Sequence, residues 1–200
     1  AFVKFPFAGI EEKLEIYTTR PDTLFGVTFM VMAPEHPMID KYADKIANMD
    51  AILSYREECA KKTEFERTQL VKDKTGLRIE GLNGVNPLTG KEVPIFISDY
   101  VMMGYGTGAI MAVPAHDQRD WEFAKKFGVD IIEVIKGGDI TKEAYTGDGE
   151  MVNSDFLNGC TNKKESIEKV LVEIEKRGCG KAGVQYKMKD WAFNRQRYWG

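Results

Sequence analysis

The sequence has few of the residues that mark a disulfide scaffold or a metal site. Its 200 residues include three cysteines and two histidines. The cysteines, Cys59, Cys160 and Cys179, lie far apart and form no CxxC pair, which argues against a disulfide framework and against a structural zinc site. We therefore expect buried or inert thiols.

The sequence also lacks long hydrophobic runs and an excess of basic residues. No apolar stretch approaches the roughly 20 residues that span a bilayer, and residues 1–10 lack the apolar core of a signal peptide. We expect a cytoplasmic protein without membrane contact. Acidic residues (31) outnumber basic residues (28), for a formal net charge of -3, so any binding of nucleic acid must depend on more than charge.

The chain does contain enough apolar residues for one filled domain, with 43% hydrophobic and 30% charged residues. A helical pattern at 36–62 breaks near 48–50, and 136–160 favours turns or a hairpin. Because regular βαβ alternation is missing, we predict an α+β fold with a barrel-like β-sheet core surrounded by helices. The other helical patterns are at 117–127 and 162–177, and strand-like runs occur at 1–8, 13–19, 26–33, 77–82, 91–97, 109–113 and 129–135.

The stretch GTGAIMAVPAHDQRD at 106–120 combines glycines, an apolar run and polar side chains. It does not match a phosphate-binding loop, because strand-like residues rather than a helix follow the glycines. His116 with Asp117 or Asp120 offers a weak metal site, without an HExxH motif or a cysteine cluster to support it. The two aspartates also open a helix, which suits Asp117 as N-cap, while Asp120 in the first turn is placed to anchor a substrate cation.

A second stretch, TTRPDT at 18–23, places three threonines in six positions. Residues 20–22 suit a turn, and the threonines suit the end of a strand. Their hydroxyl and methyl groups also suit a small polar pocket. The stretch alone does not decide between these interpretations.

Together, YTTRPDTLFGVTFMVMAPEHP at 17–37 and GTGAIMAVPAHDQRDWEFAKKF at 106–127 resemble the threonine-rich and aspartate-containing motifs of the editing (connective polypeptide) domain of bacterial-type leucyl-tRNA synthetases. DWAFNRQRYWG at 190–200 resembles the segment where those chains return to the catalytic core. The resemblance implies an editing domain at 1–189, the start of the return segment at 190–200, and a larger parent protein.

Two departures from the wider family pattern affect these expectations. Ala115 stands where many relatives have glycine, which adds a methyl group beside the implied pocket. The HIGH motif is absent, and KMKD at 187–190 is only superficially similar to KMSKS. We therefore expect no activation of amino acids by this chain.

The function implied by the resemblance is hydrolysis of the ester that joins a noncognate amino acid, such as isoleucine, valine, methionine or norvaline, to tRNA-Leu, with leucine excluded. One methylene distinguishes apolar side chains by only about 1–3 kcal/mol, so synthesis alone is not accurate enough. The implied partners are mischarged tRNA-Leu, through its 3′-terminal adenosine, and the rest of a leucyl-tRNA synthetase. No cofactor is implied for this domain, since ATP and Mg²⁺ serve the catalytic core. A non-catalytic tRNA-binding module is the alternative.

The resemblance also assigns roles to individual residues. Asp120 binds the α-ammonium group of the substrate, and Thr23 crowds the γ-branch of leucine. Thr18 and Thr19 orient the ester and the attacking water, so that together with Asp120 they form the catalytic set. Arg20 contacts the terminal adenosine or its phosphate. An activated ester needs only orientation and oxyanion stabilisation, so no metal is implied. The other substrate-binding candidates are Tyr105, Met111, Val113, His116 and Asp117.

Overall fold

The computed structural model describes residues 1–68 and 75–184, so KMKD and the segment at 190–200 lie outside the described residues. Short 3₁₀ segments cover Pro21–Gly26, Ala43–Lys45 and Asp155–Leu157. The α-helices are α1 (Pro37–Lys41), α2 (Met49–Ala60), α3 (Glu64–Thr68), α4 (Gln118–Phe127) and α5 (Lys163–Lys176). The strands are β1 (Phe2–Pro6), β2 (Lys13–Tyr17), β3 (Phe29–Met32), β4 (Leu77–Val85), β5 (Glu92–Ile97), β6 (Ala109–Ala112), β7 (Ile135–Lys136), β8 (Glu150–Met151) and β9 (Gly180–Lys181).

These strands form three sheets, ordered β2-β1-β9, β4-β5-β3-β6 and β7-β8. Only the β3–β5 pair is parallel among the paired strands of the described ranges. The predicted mixture of helices and strands is confirmed, but the sheets are open and the barrel-like core is not seen across 1–68 and 75–184. Barrel closure assumed that the strand-like runs share one sheet. Instead β1 lies between β2 and the late strand β9, in a sheet separate from the one that contains β3–β6.

The central strand β3 divides the hydrophobic core into two clusters. All four of its residues have no exposed surface, as a continuous apolar run predicts. Met30 and Met32 belong to the larger cluster, which also takes in the inward residues of β1 and β2. Phe29 and Val31 belong to a smaller cluster that includes Phe123 of α4. The rings of Phe29 and Phe123 stack at 5.2 Å, which fixes α4 against β3.

The helical predictions are largely confirmed. The pattern at 36–62 forms α1 and α2, and α2 begins at Met49, within the predicted break. The predicted helices at 117–127 and 162–177 are α4 and α5. α3 was not predicted. No helix in the described part of the chain is long and apolar enough to cross a membrane.

The predicted strand at 129–135 is mostly wrong, because only Ile135 enters a ladder. The amides of Val134 and Ile135 instead donate to the His116 ring, and the amide of Val129 donates to Ala124 O. Backbone donors used in this way are not available to a neighbouring strand. The expected hairpin around 136–160 is present as β7 and β8.

Candidate active site

The two motif stretches meet where β3 pairs with β6. Phe29 lies opposite Ala112 in this antiparallel ladder, and the amide of Thr28 donates to Ala112 O at 3.3 Å. A Cβ at Gly26 would lie 3.0 Å from Val113 Cγ1 and 3.1 Å from Val134 Cγ2. Any larger residue at position 26 would require these valine side chains to shift by a few tenths of an ångström, so glycine suits this close approach. The 3₁₀ segment that carries Thr23 therefore packs directly against the start of the turn that leads to α4.

The threonine-rich stretch is organised around the main chain of Arg20. Thr23 donates to Arg20 O from its hydroxyl at 2.8 Å and from its amide at 3.2 Å. Thr18 Oγ1 accepts from the Arg20 amide at 3.0 Å, so its proton can still be donated to a substrate oxygen or a water. Thr23 is buried, Thr18 is half-buried and Thr19 is exposed. The hydroxyls of Thr18 and Thr23 thus have fixed positions.

The Arg20 side chain forms a two-pronged ion pair with Asp22. Arg20 Nε and Nη2 lie 3.0 and 2.9 Å from the two carboxylate oxygens. Asp22 is 1% exposed, whereas the Arg20 side chain is 27% exposed. The pair borders a cavity of about 10 Å³, which holds about one water. Two of the five N–H groups of the guanidinium donate to Asp22 in this ion pair. The predicted contact of Arg20 with adenosine stays a prediction.

Asp120 lies in the first turn of α4 and is 6% exposed. Its Oδ2 accepts from the Val113 amide at 3.0 Å. Burial, and then the negative charges of Asp120 and Asp117, raise the pKa of Tyr100 well above its ordinary value. The positive end of the α4 dipole favours a carboxylate at this position. Asp120 is therefore a fixed, largely buried acid beside the motif junction.

Asp117 is the N-cap of α4, as predicted. Its Oδ1 accepts from the amides of Arg119 at 2.9 Å and Asp120 at 3.2 Å. These bonds satisfy two of the amides that every helix start leaves without a partner in the helix. A direct role of Asp117 in substrate binding stays a prediction.

Both nitrogens of the His116 ring are bound to main-chain groups. Nδ1 lies 2.7 Å from Tyr145 O, and Nε2 lies 3.0 Å from the amides of Val134 and Ile135. Only the neutral ring with its proton on Nδ1 satisfies all three bonds. Burial lowers the pKa of His116, which favours that form. Because the Nε2 lone pair faces two amides, the geometry does not support His116 as a metal ligand.

The remaining candidates differ in exposure. Met111 is partly buried and packs on the larger cluster, and Val113 is buried in it. Tyr105 follows β5 in a loop and is 46% exposed. Ala115 is fully buried, and its carbonyl accepts from the Tyr145 amide at 2.8 Å. The structure tests none of these residues as a substrate contact.

Sequence reasoning missed Tyr145 and the pairing of Asp22. The Tyr145 ring packs against the backbone at Gly137, Gly138 and Gly147, where an added Cβ would clash with it. A single tyrosine flanked by glycines was the available signal for this arrangement. Asp22 gave no comparable signal, because an aspartate after proline is also an ordinary turn residue.

The structure is a mixed α/β domain in which a threonine-rich turn lies against a capped helix with a buried aspartate in its first turn. This is the class of domain that the motifs imply, an editing domain of an aminoacyl-tRNA synthetase. The family model described as "Leucyl-tRNA synthetase, editing domain" matches residues 1–175, and the chain belongs to this family.

Two similar proteins agree with this assignment. Leucine--tRNA ligase of Alkaliphilus oremlandii (strain OhILAs) is 62% identical over 200 residues, which cover 99% of this chain and 25% of that protein. The chain thus spans about a quarter of the length of this curated relative. The LeuRS of Agrobacterium radiobacter K84, crystallised in a ternary complex with tRNA and LeuAMS, matches with a TM-score of 0.73 and 27% identity, over 94% of this chain and 20% of that one.

Proposed function

We propose that this chain proofreads tRNA-Leu by hydrolysing the ester of noncognate amino acids while sparing leucine. Membership of the leucyl-tRNA synthetase editing family supports the reaction class. The observation that carries the proposal is the junction of the threonine-rich segment with the turn that holds Asp120. The partners proposed with it are mischarged tRNA-Leu, bound through its terminal adenosine, and the rest of a leucyl-tRNA synthetase.

Asp120 is the proposed anchor for the α-ammonium group of the aminoacyl ester. Every noncognate amino acid carries this cation, so a fixed carboxylate recognises the substrate class without reading its side chain. The Val113 amide holds one oxygen of the carboxylate at 3.0 Å. A group that is already positioned loses little conformational entropy when it binds. The position of the ammonium group then determines where the ester carbonyl lies.

Thr23 is the proposed basis of leucine exclusion. Its hydroxyl is bound to Arg20 O, which fixes the χ1 angle and therefore the position of the methyl group. Thr23 is buried, with 3% of its surface exposed. The side chain therefore has little room to move aside for a larger ligand. The γ-branch of leucine is rejected by steric overlap with this methyl group, whereas side chains without a branch at the γ carbon are accepted.

The proposed reaction needs only water as a co-substrate. Water adds to the ester carbonyl, and the bond from that carbon to the ribose oxygen breaks, which releases the amino acid and restores the terminal ribose hydroxyl. The Thr18 and Thr19 hydroxyls orient the water and the ester. Such orientation, with hydrogen bonds to the developing oxyanion, supplies much of the acceleration in acyl transfer.

The direct test is deacylation of Ile-tRNA-Leu and Leu-tRNA-Leu by excess purified chain, with release of the amino acid followed in a single turnover. Wild type should release isoleucine and spare leucine. Asp120→Asn, which retains an acceptor for the Val113 amide, should lower the rate at least about ten-fold through loss of the charged contact. Asp120→Ala should abolish the reaction. Asp130→Asn, at an exposed residue shortly after α4, is the matched control for a change from Asp to Asn and should leave the rate unchanged.

Specificity is tested at Thr23 in the same assay. Thr23→Ala should make Leu-tRNA-Leu a substrate, with a gain of about 10–200-fold for one methyl group of space. Thr23→Val keeps the bulk, loses only the hydroxyl bond and should still spare leucine. Binding of tRNA by folded wild type without release of isoleucine would overturn the proposal in favour of a non-catalytic binding module. Continued exclusion of leucine by Thr23→Ala would overturn the role of Thr23.

A further inference from the structure

The loop at 137–149 is bound to the start of α4 by four hydrogen bonds. Two of them are made by Tyr145, whose amide donates to Ala115 O at 2.8 Å and whose carbonyl accepts from His116 Nδ1 at 2.7 Å. The Ala144 amide donates to Gln118 Oε1 at 3.1 Å. Trp121 Nε1 donates to Ile140 O at 2.8 Å. The loop therefore contacts residues on both sides of the N-cap.

The loop also has internal contacts that stiffen it. The Tyr145 ring packs on the glycines around it, and its hydroxyl donates to Asp148 O at 2.8 Å. Asp139 accepts from both the amide and the hydroxyl of Thr141. A loop held in this way provides a fixed support for the residues that it contacts.

The turn that the loop supports is the same one that holds Asp120. Val113 O accepts from the amides of His116 at 3.0 Å and Asp117 at 3.1 Å. The Val113 amide in turn donates to Asp120 Oδ2 at 3.0 Å. Any shift of the turn at 113–117 therefore moves both the amide that holds the carboxylate and the helix that carries it.

We propose that His116 is a positioning residue for Asp120, because its ring fastens the 137–149 loop and the 134–135 backbone to the turn that holds the carboxylate. This inference rests on the proposed function and adds a residue that acts without touching substrate. The ring connects three separate segments of chain and uses both of its nitrogens to do so.

Protonation of His116 would release part of this support. A proton on Nε2 replaces the acceptor that faces the Val134 and Ile135 amides with a donor, so both bonds are lost. The charged groups that act on the ring are Arg20, which opposes protonation, and Glu133 and Asp22, which favour it. Burial has the largest effect and keeps the ring neutral near neutral pH.

Two substitutions separate the functions of the two nitrogens. His116→Gln places an amide oxygen near the Nε2 position and retains an acceptor for the Val134 and Ile135 amides. His116→Asn places an amide N–H near the Nδ1 position and retains a donor for Tyr145 O. We expect His116→Ala to lower kcat for Ile-tRNA-Leu about ten-fold or more, as small displacements of reacting groups do. KM should change less than about two-fold, because the contacts with tRNA remain. The Gln and Asn variants should each recover part of this loss.

The pH profile gives a second measurement. The ratio of the wild-type rate to the His116→Gln rate cancels the titration of the substrate. Because burial lowers the pKa of His116, we expect this ratio to fall only at a pH clearly below the ordinary histidine value of about 6.5. Only the wild type has a ring to protonate at position 116. Nitrogen NMR of the folded chain should show the Nδ1–H tautomer of His116 at neutral pH. Lys142→Ala alters an exposed residue on the same loop and should leave the rate unchanged.

Distinct outcomes overturn the two proposals. Absence of deacylation by wild type would reject the proposed function itself. An active wild type with unchanged kcat in His116→Ala and a flat rate ratio would reject the positioning role alone. If His116→Ala does not fold, Trp121→Phe and Gln118→Ala weaken the same docking from other side chains. If both of these variants keep the kcat of the wild type, the positioning role of His116 is rejected.

Discussion

At the scale of single residues, the Arg20–Asp22 pair is asymmetric. The carboxylate is almost fully buried, while the guanidinium reaches solvent. A buried charge that loses its partner has no water to replace it, whereas an arginine at the surface does. The two members of the pair should therefore differ in what their removal costs.

We predict that Arg20→Ala lowers the free energy of unfolding by about 3 kcal/mol, because Asp22 is then buried without its counter-ion. Asp22→Asn should lower the free energy of unfolding by only about 1 kcal/mol, since the amide fills the same space and water can solvate the Arg20 guanidinium. Urea unfolding of both variants measures the difference. A cost for Asp22→Asn as large as that for Arg20→Ala would show that the pair is not asymmetric.

Sequence reasoning predicted the structural role of a residue correctly where the signal was local. Asp117 was predicted as a cap because an N-cap depends on its own three following residues. The anchoring of His116 was not predicted, because its partners, Val134, Ile135 and Tyr145, lie 18 to 29 positions away. Contacts of this kind depend on the fold and leave no pattern in the nearby sequence.

At the scale of elements, α4 connects the cap, the acid and the docked loop. Asp117 begins the helix, Asp120 lies in its first turn, and the ring of Phe123 stacks on β3. The cap therefore contributes to stability, whether or not Asp117 contacts substrate.

We predict that Asp117→Ala destabilises the chain by about 1 kcal/mol through loss of the cap. Asp117→Asn should change the stability by only a few tenths, because Asn is an equally good cap. Thermal and urea unfolding give both values. Equal destabilisation by the two substitutions would show that the charge of Asp117, rather than its capping oxygen, stabilises α4.

The predicted elements were correct where the periodicity and the caps agreed, as in α4 and α5. They were wrong for the strand at 129–135, whose apolar run is typical of a buried strand. There the amides of Val134 and Ile135 bind a histidine ring instead of a neighbouring strand. The hydrophobic pattern of a sequence predicts which side chains are buried. It does not predict which acceptors the backbone amides bind.

At the scale of the whole molecule, both histidines of the chain are neutral and anchored. Burial lowers the pKa of His36 as it does that of His116. His36 Nδ1 accepts from the Met38 amide at 3.2 Å, which requires an unprotonated nitrogen. An unfolded histidine titrates near about pH 6.5, so acid favours the unfolded chain.

We predict that the free energy of unfolding falls as the pH drops from about 7 to 5.5, by up to about 1.4 kcal/mol per pH unit for each histidine. The sign follows because the unfolded state binds more protons than the folded state in this range. Urea unfolding across the pH range measures how steeply the free energy of unfolding changes with pH. His116→Gln should reduce this slope by the contribution of one histidine. A stability that rises towards pH 5.5 would contradict the prediction.

The barrel prediction failed at this same scale, because the described strands form three sheets and not one closed sheet. β1 instead lies between its neighbour β2 and the distant β9, with Phe2 opposite both Tyr17 and Lys181. Only long-range pairing decides this arrangement, and the sequence of β9, a Gly–Lys pair, carries almost no strand signal.

The pairing of β1 with β9 has a consequence for synthesis on the ribosome. β1 is synthesised well before β9 and must wait for it before its second edge is covered. At about 5–20 residues per second, that interval lasts roughly ten to thirty-five seconds. Throughout it, the nascent chain presents an open strand edge next to apolar residues such as Val3 and Phe5. Such an edge is a template for mispairing until β9 covers it.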